Sequence, residues 1–311
     1  MKILITGANG LVGTALMSIL KTKNQHVLLH PSSKECNFEN YEETFHYFKS
    51  SEPDAVIHLA ANVGGLYKNM NQKVDMLEKN LLINFNILKC AHLLNINNVV
   101  SCLSTCIFPD DITYPIDESM LHNGPPHFSN DSYAYAKRML QIHSNAYNEQ
   151  YNRNFKCIIP TNIYGPGDYF SLENGHVIPS LIHKCYLAKA ENTDFVVRGT
   201  GKPLRQFIFS NDLANLIVWV LESYDEKEPI ILSVDEKDEI SIREVALEIA
   251  KNYDYEHRIV FDSSFSDGQY KKTASNTKLR KYLPNYKFLT IQEGIKKSVD
   301  WFSKNYETCR K

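Results

Sequence analysis

The sequence predicts an α/β fold: a doubly wound parallel sheet with a smaller C-terminal α/β lobe. Three observations carry that expectation. Strand-like and helix-like segments alternate through the first half. A G-x-x-G-x-x-G loop at residues 7–13 follows the first strand directly. After about Pro160 the rhythm loosens into loops rich in Gly, Pro, Asn and Asp.

Taken in order, Lys2–Thr6 is a short apolar run with the look of a strand, and Leu11–Lys21 has helical apolar spacing. His26–Leu29 reads as a strand, Tyr41–Ser50 as a helix and Ala55–Ala60 as a buried strand. Lys73–Leu94 is a long helix with an apolar stripe at Leu77, Leu81, Phe85 and Leu88. Val99–Leu103 is a strand, Ser132–Tyr151 a second long helix and Phe155–Thr161 another strand. Strands separated by helices form βαβ units with right-handed crossovers, which build a parallel sheet covered on both faces. Loops at 164–174, 198–205 and 262–272 then separate shorter elements. Helical patterns recur at Asn211–Ser223, Ser241–Tyr253 and Thr290–Asn305, with Ser241 and Glu244 spaced as a capping box. Residues 1–165 form one domain to which 211–234 returns, and 166–311 form the substrate lobe.

Composition narrows the function class. Of 311 residues, 43% are apolar and 23% charged, which is a globular balance. A formal net charge of -2 leaves no footprint for nucleic acid or an anionic membrane. No apolar run approaches the ~20 residues of a membrane span. Lys2 leads straight into Ile3-Leu4-Ile5 and then glycines, unlike a secretory leader. The seven cysteines (36, 90, 102, 106, 157, 185, 309) are irregularly spaced without a C-x-x-C pair, so neither disulfides nor zinc are expected. No His, Cys or carboxylate group gathers at metal-ligand spacing. A cytoplasmic enzyme is the expectation.

Gly7-Ala8-Asn9-Gly10-Leu11-Val12-Gly13 supplies the tight turn and close backbone approach that a pyrophosphate on a helix N-terminus requires. After a four-residue apolar strand the motif is specific, and it makes the first domain Rossmann-type. NAD-binding units usually end strand two on an acid. Here that strand ends Leu28-Leu29-His30, followed by Ser32-Ser33-Lys34. Two hydroxyls and a cation suit a 2′-phosphate, so NADP(H) is predicted over NAD, although a plain solvated turn would look the same.

Tyr133 and Lys137 open the second long helix one turn apart and share a face. A tyrosine beside a lysine ammonium and a cationic nicotinamide has its phenolate favoured, which moves it toward neutrality and makes it an acid/base for a carbonyl or hydroxyl. Tyr135 projects elsewhere and is the decoy. Ser104 stands at the C-terminal end of the Val99–Leu103 strand, where ligands bind in such sheets.

These residues, with His58-Leu59-Ala60-Ala61, resemble the extended short-chain dehydrogenase/reductase family acting on nucleotide sugars. Four further blocks narrow the resemblance: Asn62-Val63-Gly64-Gly65, Ser104 to Pro109, Pro160 to Pro166 and Gly175-His176-Val177-Ile178-Pro179. They look like the branch that converts GDP-4-keto-6-deoxy-D-mannose to GDP-L-fucose, and the match runs through Ser266-Asp267-Gly268 to Trp301-Phe302. The resemblance implies that Tyr133 protonates the carbon 4 oxygen, Ser104 hydrogen-bonds it and Lys137 holds the cofactor ribose. It makes Cys106 the base and His176 the acid of a 3,5-epimerisation. It adds Leu59, Ala60, Ala61, Pro160, Asn162, Ile163 and His176 to the cofactor site. Lys184, Arg198, Arg205, Asp267 and Lys272, with Ser104 and Asn162, would meet the GDP-sugar. Arg198 stands where related enzymes carry Trp, and Asn9 where some bacterial ones use Arg. Relatives form homodimers by packing two long helices into a four-helix bundle, which here would use Lys73–Leu94 and Ser132–Tyr151. A 4,6-dehydratase is rejected because Thr105-Cys106, and not an acid pair, follows Ser104. The rivals are an epimerase-reductase for another 4-keto-6-deoxy sugar nucleotide and, from another class, a non-catalytic NADP-binding regulator.

Overall fold

The computed structural model describes residues 1–267 and 269–311, so Gly268 of the Ser-Asp-Gly block lies outside the described residues. The chain opens with β1 (Lys2–Thr6), α1 (Leu11–Lys23), β2 (Val27–Leu29), α2 (Tyr41–Ser51) and β3 (Ala55–His58). It continues through α3 (Leu66–Asn71), α4 (Lys73–Leu93), β4 (Asn98–Cys102), α5 (Asp131–Tyr151) and β5 (Asn154–Pro160). Then follow β6 (Asn162–Tyr164), α6 (Val177–Glu191), β7 (Phe195–Arg198), β8 (Leu204–Arg205), β9 (Phe207–Phe209), α7 (Ser210–Ser223) and β10 (Ile230–Leu232). The last elements are β11 (Ile240–Ser241), α8 (Ile242–Asn252), β12 (Ile259–Asp262), α9 (Thr277–Tyr282) and α10 (Ile291–Lys304).

Six strands form one parallel sheet in the order β10-β5-β4-β3-β1-β2. Side chains alternate across it with period two. Ile3, Ile5, Ala55 and Ile57 join the core under α1 and α7. Leu4, Val56, Val99 and Phe155 join the core under α2, α4 and α5. Both faces are covered, which is why the strands are apolar throughout rather than alternating. From β1 the order runs to β2 on one side and β3 on the other, and that reversal opens the crevice where ligands of such sheets bind. Among the described residues no helix is long and apolar enough to cross a membrane.

The second lobe has its own core, in which α6, α8 and α10 contribute Ile182, Ile249 and Phe302 around Phe195 and Phe207. Three short pairs, β6–β9 and β7–β12 parallel and β8–β11 antiparallel, brace it. Between them α7 packs on α1 and β10 extends the main sheet beside β5.

Two elements differ from expectation. The helical patterns anticipated omit α6. It buries Ile178, Pro179, Leu181, Ile182 and Cys185 on nearly every side, which blurs the 3.6-residue period. The stripe on α4 also divides: Leu88 is fully buried, whereas Phe85 is 47% exposed.

Candidate active site

Two close approaches shape the glycine loop. Gly7 has φ +71°, and a Cβ there would lie 2.8 Å from Ala60 N, so the loop lies directly on the Leu59–Ala60 backbone. A Cβ on Gly13 would meet Gly7 O at 2.4 Å, so α1 packs on the loop with no room for a side chain. Asn9 is exposed at the tip. Gly10 caps α1 with no side-chain acceptor and no acid follows in the first turn. By contrast α2, α8 and α10 are capped by Asn40, Ser241 and Thr290 and carry glutamates in their first turns. The N–H groups of Leu11, Val12 and Gly13 are thus left for an anion, and the residues fit a dinucleotide pyrophosphate.

At the end of β2 the geometry adds an acid the strand-end pattern does not show. Glu35 Oε2 accepts from Ser32 N at 2.8 Å and from Ser32 Oγ at 2.7 Å. Those two bonds hold the Glu35 carboxyl below its ordinary value. Ser32 therefore spends its donors locally, while Ser33 and Lys34 are exposed.

Beneath the loop runs a directional chain of hydrogen bonds. Leu59 N and Ala60 N both donate to Thr6 Oγ1 at 3.1 Å. Thr6 Oγ1 therefore gives its proton to His58 Nδ1 at 2.9 Å, which places the imidazole proton on Nε2. Nε2 donates to Asn84 Oδ1 at 2.9 Å, and Asn84 Nδ2 donates to Ala136 O at 3.3 Å, next to Lys137. Burial, reinforced by the nearby Lys137, lowers His58 to about 3 and keeps it neutral.

The reactive side chains come from β4 and α5. Ser104, just beyond β4, starts a single 3₁₀ turn over Thr105–Ile107 and accepts from Cys106 N at 3.4 Å. Tyr133 and Lys137 lie one turn apart on α5, with Nζ 5.9 Å from the centre of the tyrosine ring. Lys137 is buried, and its Nζ donates to Cys102 O at 2.8 Å. Tyr135 is turned outward and is 44% exposed.

Burial pushes Tyr133 well above the ordinary phenol value, and the Cys106 and Cys102 thiols push the same way; the expected movement toward neutrality draws on the cation of a bound nicotinamide as well as on Lys137. At physiological pH it is a neutral phenol that can donate a proton. Burial also raises Cys106, opposed by the Lys272 ammonium, the Ser104 hydroxyl and Lys137.

His176 caps α6 with an extended backbone and no hydrogen bond from its side chain to the helix. Its side chain is exposed to solvent, and the protein packed around it still lowers it from the ordinary imidazole value by desolvation. The preceding loop runs close to the first domain, where a Cβ on Gly65 would lie 3.0 Å from Asn174 O, and it folds tightly on itself, where one on Gly175 would lie 2.4 Å from Ser171 O. Pro160 ends β5 beside Leu232. Asn162 donates to Gln206 O at 2.9 Å, and Ile163 pairs with Ile208.

The five residues anticipated near a nucleotide sugar divide into two groups. Arg205 donates to Gln269 O at 2.6 Å and to Leu204 O at 2.7 Å, and Asp267 accepts from Thr200 N and Oγ1 at 2.6 Å each. These two tie Asp267 to Thr200 and the 269–272 segment to Arg205 rather than projecting freely. Tyr114 OH, donating to Lys271 O at 2.7 Å, fixes the same segment from the first domain. Lys184 and Lys272 are depressed by burial, with Arg198 lowering the first further and Arg205 the second. Arg198 lies 4.7 Å above the Phe265 ring. Thr200, Tyr114 and Asn84 are site-shaping residues that local motif reading missed, because their partners lie far along the chain, whereas Glu35 stands three residues from Ser32 and local spacing could have found it.

Known proteins match this architecture along its length. The NAD dependent epimerase/dehydratase family matches residues 3–234. The chain is 53% identical to a GDP-L-fucose synthase of Dictyostelium discoideum, covering 99% of this chain and 97% of the relative. It is 49% identical to a probable GDP-L-fucose synthase of Drosophila melanogaster, covering 100% and 99%. A GDP-L-fucose synthetase of Naegleria fowleri bound to NADP superposes with a TM-score of 0.95 at 46% identity, covering 100% of this chain and 95% of that one. A glycine loop on an open helix end, a Ser-Tyr-Lys group at the strand ends and relatives matched end to end establish that the chain belongs to the NAD dependent epimerase/dehydratase family, alongside the GDP-L-fucose synthases.

Proposed function

We propose that this enzyme converts GDP-4-keto-6-deoxy-D-mannose to GDP-L-fucose, first epimerising carbons 3 and 5 and then reducing the carbon 4 ketone. The observation that carries the reading is the gathering of Ser104, Tyr133 and Lys137 around a partly shielded thiol at Cys106, where β4 ends and α5 begins. NADPH, when bound, supplies the hydride; Gly7 to Gly13, Ser33, Lys34, Leu59 to Ala61, Asn162 and Ile163 would hold it. Ser104 and Tyr133 donate to the carbon 4 oxygen. That oxygen becomes an enolate when a neighbouring carbon loses its proton, so the same donors serve both reactions. Cys106 takes the proton, helped by the cations of Lys272 and Lys137, which oppose its burial. His176 returns a proton on the other face; desolvation makes its cationic form the stronger acid. Tyr133, held as a neutral phenol, gives its proton to the oxygen on reduction, and Lys137 stays anchored on Cys102 O beside it.

The test is solvent deuterium exchange into the sugar without NADPH. Exchange at both carbons is expected, and Cys106→Ala should abolish it. Retained exchange at both carbons in that variant would refute the base assignment. Product NMR with NADPH added identifies the sugar.

The same reading divides the chain into a cofactor domain at 1–165 with 211–234, and a substrate lobe at 166–311. It also includes a homodimer. α4 and α5 pack side by side and leave Leu82, Phe85, Tyr135, Met139 and Ile142 exposed along their outer face. A second copy placing the same helices there would bury that face in a four-helix bundle. Seven free cysteines suit a reducing cytoplasm.

A further inference from the structure

We infer that Arg138 is the residue that positions Cys106 for proton abstraction, separately from the groups that serve reduction. The inference rests on reading Cys106 as the epimerisation base. Arg138 follows Lys137 on α5 and is only 6% exposed. Its Nε donates to Ile107 O at 2.5 Å and its Nη1 to Gly124 O at 2.7 Å. Ile107 closes the 3₁₀ turn whose middle residue is Cys106. Gly124 belongs to the segment that folds back on this loop, where Asp110 N donates to Pro125 O at 3.0 Å and Pro109 bridges to Pro126. One guanidinium fork therefore ties both sides of the loop to the catalytic helix.

Ser104 has a different anchor. It follows Leu103, whose N–H donates to Ile158 O at 2.8 Å, so the main sheet holds it. Tyr133 and Lys137 are held by α5 itself. Ser104 also caps the turn, with Cys106 N donating to its Oγ at 3.4 Å and Ile107 N to its O at 3.2 Å. The sheet and α5 nevertheless hold the reductase groups independently of the Arg138 fork, which bears directly on the turn beyond Cys106.

The arrangement is costly, which argues for a purpose. Among the described residues Arg138 has no carboxylate partner, and its Nη2 is buried without a hydrogen-bond acceptor. A buried cation answered by two carbonyls and by the Tyr135 ring 5.6 Å away, with no carboxylate, is expensive to keep. Lysine, a single point charge, has no rigid fork with which to grip both carbonyls.

The experiment compares wild type with Arg138→Met and Arg138→Lys. Deuterium entry at carbons 3 and 5 is measured without NADPH, and NADPH oxidation and product stereochemistry are measured with it. Loosening a base by an ångström costs on the order of 100-fold. Arg138→Met should therefore lose deuterium entry by about that factor while NADPH oxidation falls far less. The product should shift toward a 4-reduced sugar that is not epimerised at carbons 3 and 5. Arg138→Lys should fall between, and its ratio decides the matter if Arg138→Met does not fold. Equal losses in both half-reactions, or none in either, overturn the positioning role. Wild type that fails to exchange deuterium at all instead overturns the function from which the inference starts.

Discussion

His58→Gln tests the buried chain of hydrogen bonds through a pH dependence whose size follows from the structure. Glutamine does not titrate and retains an amide able to donate to Asn84, but it removes the acceptor for the Thr6 hydroxyl. One buried donor left unmade costs roughly 1–3 kcal/mol at any pH. The titration of His58 adds a second, pH-dependent effect. Its folded value is lowered to about 3 from an ordinary 6.5, so stability is full above pH 6.5 and is lost as pH falls below it. At pH 8 the ring is neutral in both states. At pH 5 the unfolded ring is protonated and the folded ring is not, which costs the wild type about 2 kcal/mol. Asp168 works in the opposite direction. Burial raises it to about 7 from 3.8, so it destabilises the fold by about 2–3 kcal/mol as pH rises from 5 to 8. The wild-type profile alone therefore hides both groups, and the informative quantity is the gap between wild type and variant. Urea unfolding followed by the fluorescence of Trp219 and Trp301 should show the variant less stable at pH 8. The gap should shrink by about 2 kcal/mol, or reverse, at pH 5. A gap of equal size at both pH values would mean that His58 is not held neutral by its surroundings.

Three further outcomes are expected. Gly13→Val drives a side chain into Gly7 O, which lies 2.4 Å from the Cβ position, so NADPH affinity measured by titration calorimetry should fall on the order of 100-fold; unchanged affinity would show that α1 need not touch the loop. Tyr133→Phe should lower ketone reduction by roughly 10²–10⁴-fold, whereas Tyr135→Phe, changing an outward side chain, should leave it intact; the reverse pattern in stopped-flow NADPH oxidation would exchange their roles. Phe85→Glu with Met139→Glu places charges on the exposed face of α4 and α5 and should halve the mass seen in sedimentation. A dimer that survives both changes uses another surface.

The legible parts were those where function and structure share short sequence distance. The glycine loop, the strand before it and the helix after it occupy one stretch, and Tyr133 and Lys137 lie one turn apart, so local spacing reveals them. The residues that only the structure reveals act across the chain. Arg138 reaches Ile107 and Gly124, His58 joins Thr6 to Asn84, and Asp267 joins Thr200. Periodicity failed where burial was not one-sided, as on α6, and where a stripe served two surfaces, as with Leu88 and Phe85. The burial that acts on Tyr133 likewise escapes local reading. Lysine spacing can be read locally, but desolvation depends on everything packed around the ring.

A formal charge of -2 concealed how charge is arranged. Several cations elsewhere are paired: Lys73 with Asp131, Arg258 with Asp194, Lys278 with Glu226 and Arg280 with Asp235. Among the described residues, Lys137, Lys184, Arg198, Arg205 and Lys272 make no such ion pair. Burial lowers Lys137, Lys184, Arg205 and Lys272, the direction of cations held away from water, and Glu239 near Arg205 and Asp110 near Lys272 oppose it without reversing it. Such an arrangement costs stability unless something anionic repays it. A nucleoside diphosphate sugar would do so for the cations of the second lobe, and a developing thiolate or enolate for Lys137 and Lys272. The binding energy of the diphosphate, remote from the reacting carbons, would then offset the crowding of positive charge that Cys106 needs in order to lose its proton. On this account the extra lobe does chemical work as well as closing the cleft: it brings unpaired cations to a base that its own burial would otherwise keep protonated.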